Sequence, residues 1–329
     1  MMIAANAVRA AACALALLVS HTLALNAHGQ QNYPERPIRF LVPFPAGGAA
    51  DTVARTIGEQ LVAQMGQPVV IDNRPGAGGR IATDLVAKGA PDGYTLLLAT
   101  VGGISVSPAL YRSLPYNVER DLAPVTRVAE VINVMVVNPN TGVTSVKGFI
   151  DWARKRGETR YGSAGTGQPE HLAAELLRRL TGLNLTHVPY KGGGPALVDL
   201  ISGDIQLVFA TYVVASPHVQ AGRLRALAVS TPQRQPLLPD LPAVGETVSG
   251  FGLSNWEGVF APKRTPPPLL ERLHGEINKA LAHPELKRRQ NLLGIEPVGS
   301  RSREEFVKFV REDAAMWARI VKEADIRLD

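Results

Sequence analysis

The residues best suited to chemistry in this chain are glycines and small hydroxyls. They sit in short loops, each between a β-branched apolar run and a helix-like stretch. The strongest instance is Pro43-Phe44-Pro45-Ala46-Gly47-Gly48-Ala49-Ala50-Asp51. Glycines there let backbone amides approach a ligand, and the unpaired amides and dipole of a helix start favour an anion. A tight structural turn uses the same glycines, and Phe44 reads equally as core or as the wall of a pocket. Asp51 reads as a first-turn dipole partner or cap in preference to a catalytic carboxylate.

Further loops repeat the arrangement. Asn73-Arg74-Pro75-Gly76-Ala77-Gly78-Gly79-Arg80 follows an apolar run, but Ile81 stands where a dinucleotide fingerprint needs its third glycine. Arg74 is read as a fold-stabilising contact ahead of an anion ligand. Thr100-Val101-Gly102-Gly103 lies on the same expected sheet edge. Tyr161-Gly162-Ser163-Ala164-Gly165-Thr166-Gly167 precedes a helix carrying Glu170 and His171. It fails the hydrolase elbow because position 161 is tyrosine. The better reading is that Ser163, Thr166 and the loop amides donate to a carboxylate at a helix N-terminus. His171 alone reads as a packing histidine, with no metal spacing to His187. His187-Val188-Pro189-Tyr190-Lys191-Gly192-Gly193-Gly194-Pro195 adds a flexible loop, with Lys191 read as solvent-facing ahead of a counter-charge. Ala210-Thr211-Tyr212 offers a further wall.

Such loops need a sheet to hold them, and the pattern supplies one. Strands are expected at Ile38–Val42, Pro68–Asp72, Thr95–Ala99, Val131–Val137, Leu185–Pro189, Ile205–Ala210, Leu224–Ser230 and Val259–Ala261. Helices are expected at Ala49–Met65, Ile81–Lys88, Val146–Lys155, Glu170–Thr181 and Pro195–Ser202. Three more follow, at Leu269–Ala282, Glu285–Leu293 and Arg303–Ala324. The alternation specifies an α/β chain with mostly parallel sheets flanked by helices. The helix-free run Pro124–Pro139 and the irregular stretch Thr231–Gly258 are suited to cross between two lobes. The expected division is a leader over 1–29, lobe one over 30–136 and 253–329, and lobe two over 137–252. The final helix is expected to pack on the first lobe.

Composition excludes several classes. With 329 residues, 45% hydrophobic and 19% charged, the chain is neither polytopic nor disordered. Its single cysteine, Cys13, lies in the apolar leader, so no disulfide, Cys-based zinc site or cysteine nucleophile serves the rest. Arg9 followed by Ala10 to Val19 reads as a secretory signal peptide, too short for the ~20 apolar residues of an anchor. Cys13 is too early in it for a lipoprotein. The net charge of +6 is scattered in mixed runs such as Arg303-Glu304-Glu305, which argues against nucleic acid.

Several of these segments together resemble the Bug family of periplasmic solute receptors, the extracytoplasmic substrate-binding proteins of tripartite tricarboxylate transporters. The resemblance rests on Tyr33 to Ile38, Val42 to Gly48, Gly66 to Val70 and Asn73 to Gly79. It continues through Pro91 to Leu96, His187 to Gly192, Arg225 to Val229, Trp256-Glu257-Gly258 and Ala261-Pro262, nearly the whole exported chain. It implies a type II-like, two-lobed periplasmic-binding-protein (Venus flytrap) fold that closes on a small carboxylate in the periplasm and performs no chemistry. Amides, small hydroxyls and ordered water hold the ligand in such receptors. Carried over, the first-lobe site is Phe44, Ala46, Gly47 and Gly48, with Thr100 and Val101. The second-lobe site is Ser163, Gly165, Thr166 and His171, with Ala210 as a wall. Ala46 stands where many members have a second proline, which implies a less rigid loop or a different ligand. The resemblance implies integral-membrane transporter subunits as partners, a monomer, and no cofactor, metal or nucleic acid. The alternatives are a periplasmic hydrolase or lyase starting from Ser163 and His171, or a ligand sensor for a signalling partner.

Overall fold

Short β-branched runs become strands here because glycine and proline punctuate them and helices cover them. In the computed structural model, which describes residues 33–323, eleven strands form two sheets. The leader over 1–29 lies outside the described residues. The first sheet has the order β11-β4-β10-β3-β1-β2. Its strands are β1 (Ile38–Val42), β2 (Val69–Asn73), β3 (Thr95–Thr100), β4 (Leu122–Val131), β10 (Trp256–Pro262) and β11 (Ile295–Pro297). The second has the order β7-β6-β8-β5-β9, from β5 (Asn133–Val137), β6 (Thr159–Ser163), β7 (Leu185–Pro189), β8 (Leu207–Thr211) and β9 (Arg225–Val229).

Both sheets are mixed. Neighbours β2, β1 and β3 are parallel, as are β7, β6 and β8, whereas β10 pairs antiparallel with β3 and β4, and β5 antiparallel with β8 and β9. Strands β4, β5, β9 and β10, which flank the passages between the sheets, all pair antiparallel, as does the edge strand β11 with β4. The first passage is at Ile132, between β4 and β5. The boundary expected at 136/137 therefore shifts, because all of β5 pairs in the second sheet. The return runs between β9 and β10, where the Leu253 amide donates to Ser230 O.

The core follows the layers. Helices Ala49–Met65 and Pro267–Ala282 bury Val53, Ile57, Leu273 and Ile277 against one face of the first sheet. A second apolar cluster runs from that sheet's other face, through Phe260 and Phe306, into the second lobe at Tyr161, Phe209 and Phe251. The helix Arg303–Glu323 thus packs on the first lobe through Phe306, as expected. Among the described residues no helix is long and apolar enough to cross a membrane.

Candidate functional site

The parallel strands end at the glycine loops, and each loop opens a helix whose first amides have no carbonyl partner within it. Three such starts face one another across the two lobes: Gly48 before Ala49–Met65, Gln168 before Pro169–Thr181, and Gly192 before Gly193–Ser202. None is capped by a side-chain hydrogen bond. Between them lies a cavity of about 230 Å³. Phe44 to Ala50, Thr100 and Glu257 line it from the first-sheet side, and Asn255 from the passage just before β10. Ala164, Gln168 to Glu170, Gly192 to Pro195, Thr211 and Val214 line it from the second. No lysine, arginine or histidine is among these residues.

The first-lobe loop is braced from behind. Asp51 accepts hydrogen bonds from the Gly47 amide (3.0 Å), Arg55 Nε (2.8 Å) and Asn73 Nδ2 (3.0 Å), and Asn73 Nδ2 also donates to Phe44 O (2.9 Å). Burial opposes the Asp51 charge, but these donors outweigh it and hold its carboxyl below the ordinary range. Asp51 is thus a loop brace. Arg74 pairs with Asp72 at 2.8 Å, a contact within the fold.

Gln168 joins the lobes. Its Nε2 donates to Gly78 O at 2.9 Å, and Thr100 Oγ1 donates to its Oε1 at 3.3 Å. Gly78 sits in the left-handed region (φ 59°) with no room for a side chain, since an added Cβ would meet Thr166 O at 2.9 Å.

Among the expected site residues, Phe44, Ala46, Gly47, Gly48 and Thr100 line the cavity. The others do not. Val101 and Ala210 are buried in apolar clusters. Gly165 and Thr166 lie behind the cavity against Gly78. Ser163 is fully buried, 2.7 Å from His187 Nε2 and bonded to Gly165 through both its O and its N–H. His171 accepts from the Gly167 amide at Nδ1 and packs on His187, ring centroids 4.1 Å apart. A loop residue's side depends on how the lobes dock, which local chemistry does not encode; here Ala164 and Gln168 face the cavity instead.

The Ser163–His187 contact is not a nucleophile and base. Burial pushes the His171 and His187 imidazoles down to about 4 and about 3, poor bases near neutrality, and Ser163 has no access to the cavity. Ser163→Ala is therefore expected to leave ligand affinity unchanged and to lower stability by about 1 kcal/mol. Urea unfolding beside ligand titration checks both, and a loss of affinity with unchanged stability would return Ser163 to the site.

Glu170, Gln168, Asn255, Glu257 and the Gly192–Gly194 amides are cavity residues the sequence reading missed. The signal in the sequence is a charge beside an apolar strand, Glu257 next to Val259–Ala261. Burial pushes Glu170 up to about 7, against a hydrogen bond to its own backbone amide. Burial, and then the Glu170 charge, push Glu257 up to about 8.

The profile of the tripartite tricarboxylate transporter family receptor matches residues 53–326. Protein BugT of Bordetella pertussis is 38% identical over 299 residues, covering 90% of this chain and 91% of BugT. A protein from the tcbD-tcbE intergenic region of Pseudomonas sp. (strain P51) is 37% identical over 316 residues, 95% of this chain and 93% of its own length. An R. palustris protein solved with adipate superposes with TM-score 0.86 at 36% identity, over 90% of this chain and 99% of that one. MatC from Rhodopseudomonas palustris, with bound malate, gives 0.81 at 30% identity, over 88% and 100%.

Proposed function

The chain belongs to the tripartite tricarboxylate transporter receptor family, and we propose that it captures a small carboxylate in the inter-lobe cavity and hands it to the membrane subunits of such a transporter. It is a solute receptor and not an enzyme. The observation that carries the ligand reading is the convergence of three uncapped helix starts, from both lobes, on one cavity without a cationic side chain. Partial positive charge at those amides suits an anion. The bound adipate and malate of two similar structures support the same chemistry.

Capture works by differential affinity. The lobes, 33–132 with 256–323 and 133–255, open about the passages at Ile132 and before β10, and ligand favours the closed arrangement that the Gln168 bonds complete. Export with cleavage of the leader and action as a monomer belong to the same proposal.

A thermal-shift screen against a carboxylate library tests it. Ligand bound only to the native state raises apparent stability by RT ln(1 + [L]/Kd). We expect at least one small carboxylate to raise Tm without turnover and to compact the protein in small-angle scattering. Absence of a Tm rise with any carboxylate overturns the ligand reading, and an unchanged radius of gyration at saturation overturns closure alone.

A further inference from the structure

We propose that Glu170 and Glu257 form a site for a protonated amine, so that the solute captured here is an amino-carboxylate, with its carboxylate at the helix starts and its ammonium between the two glutamates. The proposal rests on the receptor reading above and names the ligand class for that same cavity.

The two side chains come from opposite lobes. Glu170 is in the first turn of the helix Pro169–Thr181, and Glu257 is the second residue of β10. Both line the cavity while only 6% and 2% exposed. Glu170 Oε2 and Glu257 Oε2 have no hydrogen-bond partner, nor has Oδ1 of Asn255, which is 6% exposed and lines the same cavity. Buried acceptors without donors are costly, and a native site that keeps them points to an absent partner. An ammonium carries three donors and no acceptor, which suits the three unpartnered acceptor oxygens of residues lining this cavity. An amine-free dicarboxylate brings no donor to these oxygens.

The surroundings supply no alternative counter-charge. Beside Glu257 in the sheet stand Thr100 of β3 and Ala129 of β4, both neutral. Across the cavity stands Glu170. His171 is turned to His187 and the Gly167 amide, and Asp51 is taken up by Arg55, Asn73 and Gly47. In the unliganded protein burial keeps both glutamates protonated towards neutrality. A cation between them favours the ionised forms, so amine binding releases protons and tightens as pH rises from about 6 to about 8. A dicarboxylate accepting hydrogen bonds from protonated glutamic acids would do the reverse.

Calorimetric titration with matched pairs tests this: L-aspartate against succinate, L-glutamate against glutarate, γ-aminobutyrate against butyrate. Each is run at about pH 6 and about pH 8, in two buffers of different ionisation enthalpy. We expect an amino member to bind at least tenfold tighter than its partner, with net proton release. Glu170→Gln and Glu257→Gln should each reduce that preference at least tenfold. Their unliganded Tm at about pH 8 should be equal to or above that of the unaltered protein, since each removes a buried ionisable group. Equal or tighter binding of the amine-free members, proton uptake, or a preference that survives both substitutions in folded protein overturns the amine site while the receptor reading stands. Failure of every carboxylate to bind overturns both.

Discussion

Gly102→Ala is expected to weaken ligand capture by about tenfold or more while leaving each lobe folded. A Cβ at Gly102 would stand 2.3 Å from Gln168 Nε2 and 2.7 Å from its Cδ. These are the end atoms of a flexible side chain, so the helix start need not move, but the amide must leave. Its departure removes the bonds from Thr100 and to Gly78, the two that join the lobes beside the cavity. Two neutral hydrogen bonds at roughly 0.5–1.5 kcal/mol each amount to about 1–3 kcal/mol, and tenfold in Kd is about 1.4 kcal/mol. The loss falls on the closed arrangement, so unliganded stability should change little. Gln168→Ala removes the same bonds without crowding, and in a double-mutant cycle the two losses should be less than additive. Additive losses, or full affinity in Gly102→Ala, would show that Gln168 does not hold the cleft shut.

The dependence on docking also explains what was legible in the sequence. The helix Ala49–Met65 is recovered to the residue because Gly48 precedes it and Gly66, left-handed at φ 72°, ends it. The run Pro124–Pro139 reads as a passage between sheets because no helix signal interrupts it, and it resolves into β4 and β5. By contrast β6, Thr159–Ser163, carries no strand signal in the sequence, because Arg160 and Gly162 break its apolar pattern. Its glycine is required by neighbours distant in sequence, since an added Cβ at 162 would meet Ile205 Cδ1 at 2.6 Å. Proline inside Tyr212–Gln220 hid that helix, and β11 has only three residues.

The site divides in the same way. The loop Phe44–Gly48 was legible because strand, glycines and helix are contiguous, so its exposed side follows from local geometry. The second-lobe face was not. Ser163 and His171 have the right chemistry but pack inward against His187, whereas the Gly192–Gly194 amides reach the cavity from a loop noted for its lysine. Glu257 needed the second lobe in place before its partner Glu170 could be recognised.

Phe306→Ala is expected to be among the most destabilising single changes in the protein, and its reason lies one residue from Glu257. Side chains alternate along β10, so Trp256, Gly258 and Phe260 face the helix Arg303–Glu323. The Phe306 ring is fully buried among them, with centroids 5.9 Å from Trp256 and 5.3 Å from Phe260. The missing side chain of Gly258 makes room for that ring: a Cβ there would lie 2.4 Å from Phe306 Cζ. Truncating a buried phenylalanine costs about 3–5 kcal/mol, a large part of the roughly 5–15 kcal/mol that stabilises a folded domain. Gly258→Ala should cost about 1–3 kcal/mol by overpacking. In Phe306→Ala the ring is gone and the new methyl enters the space it leaves, so the double variant should be no less stable than Phe306→Ala alone. Chemical denaturation of the four proteins gives the coupling energy. A coupling near zero would mean that the ring does not dock against Gly258, and that the helix is not what fixes the strand carrying Glu257.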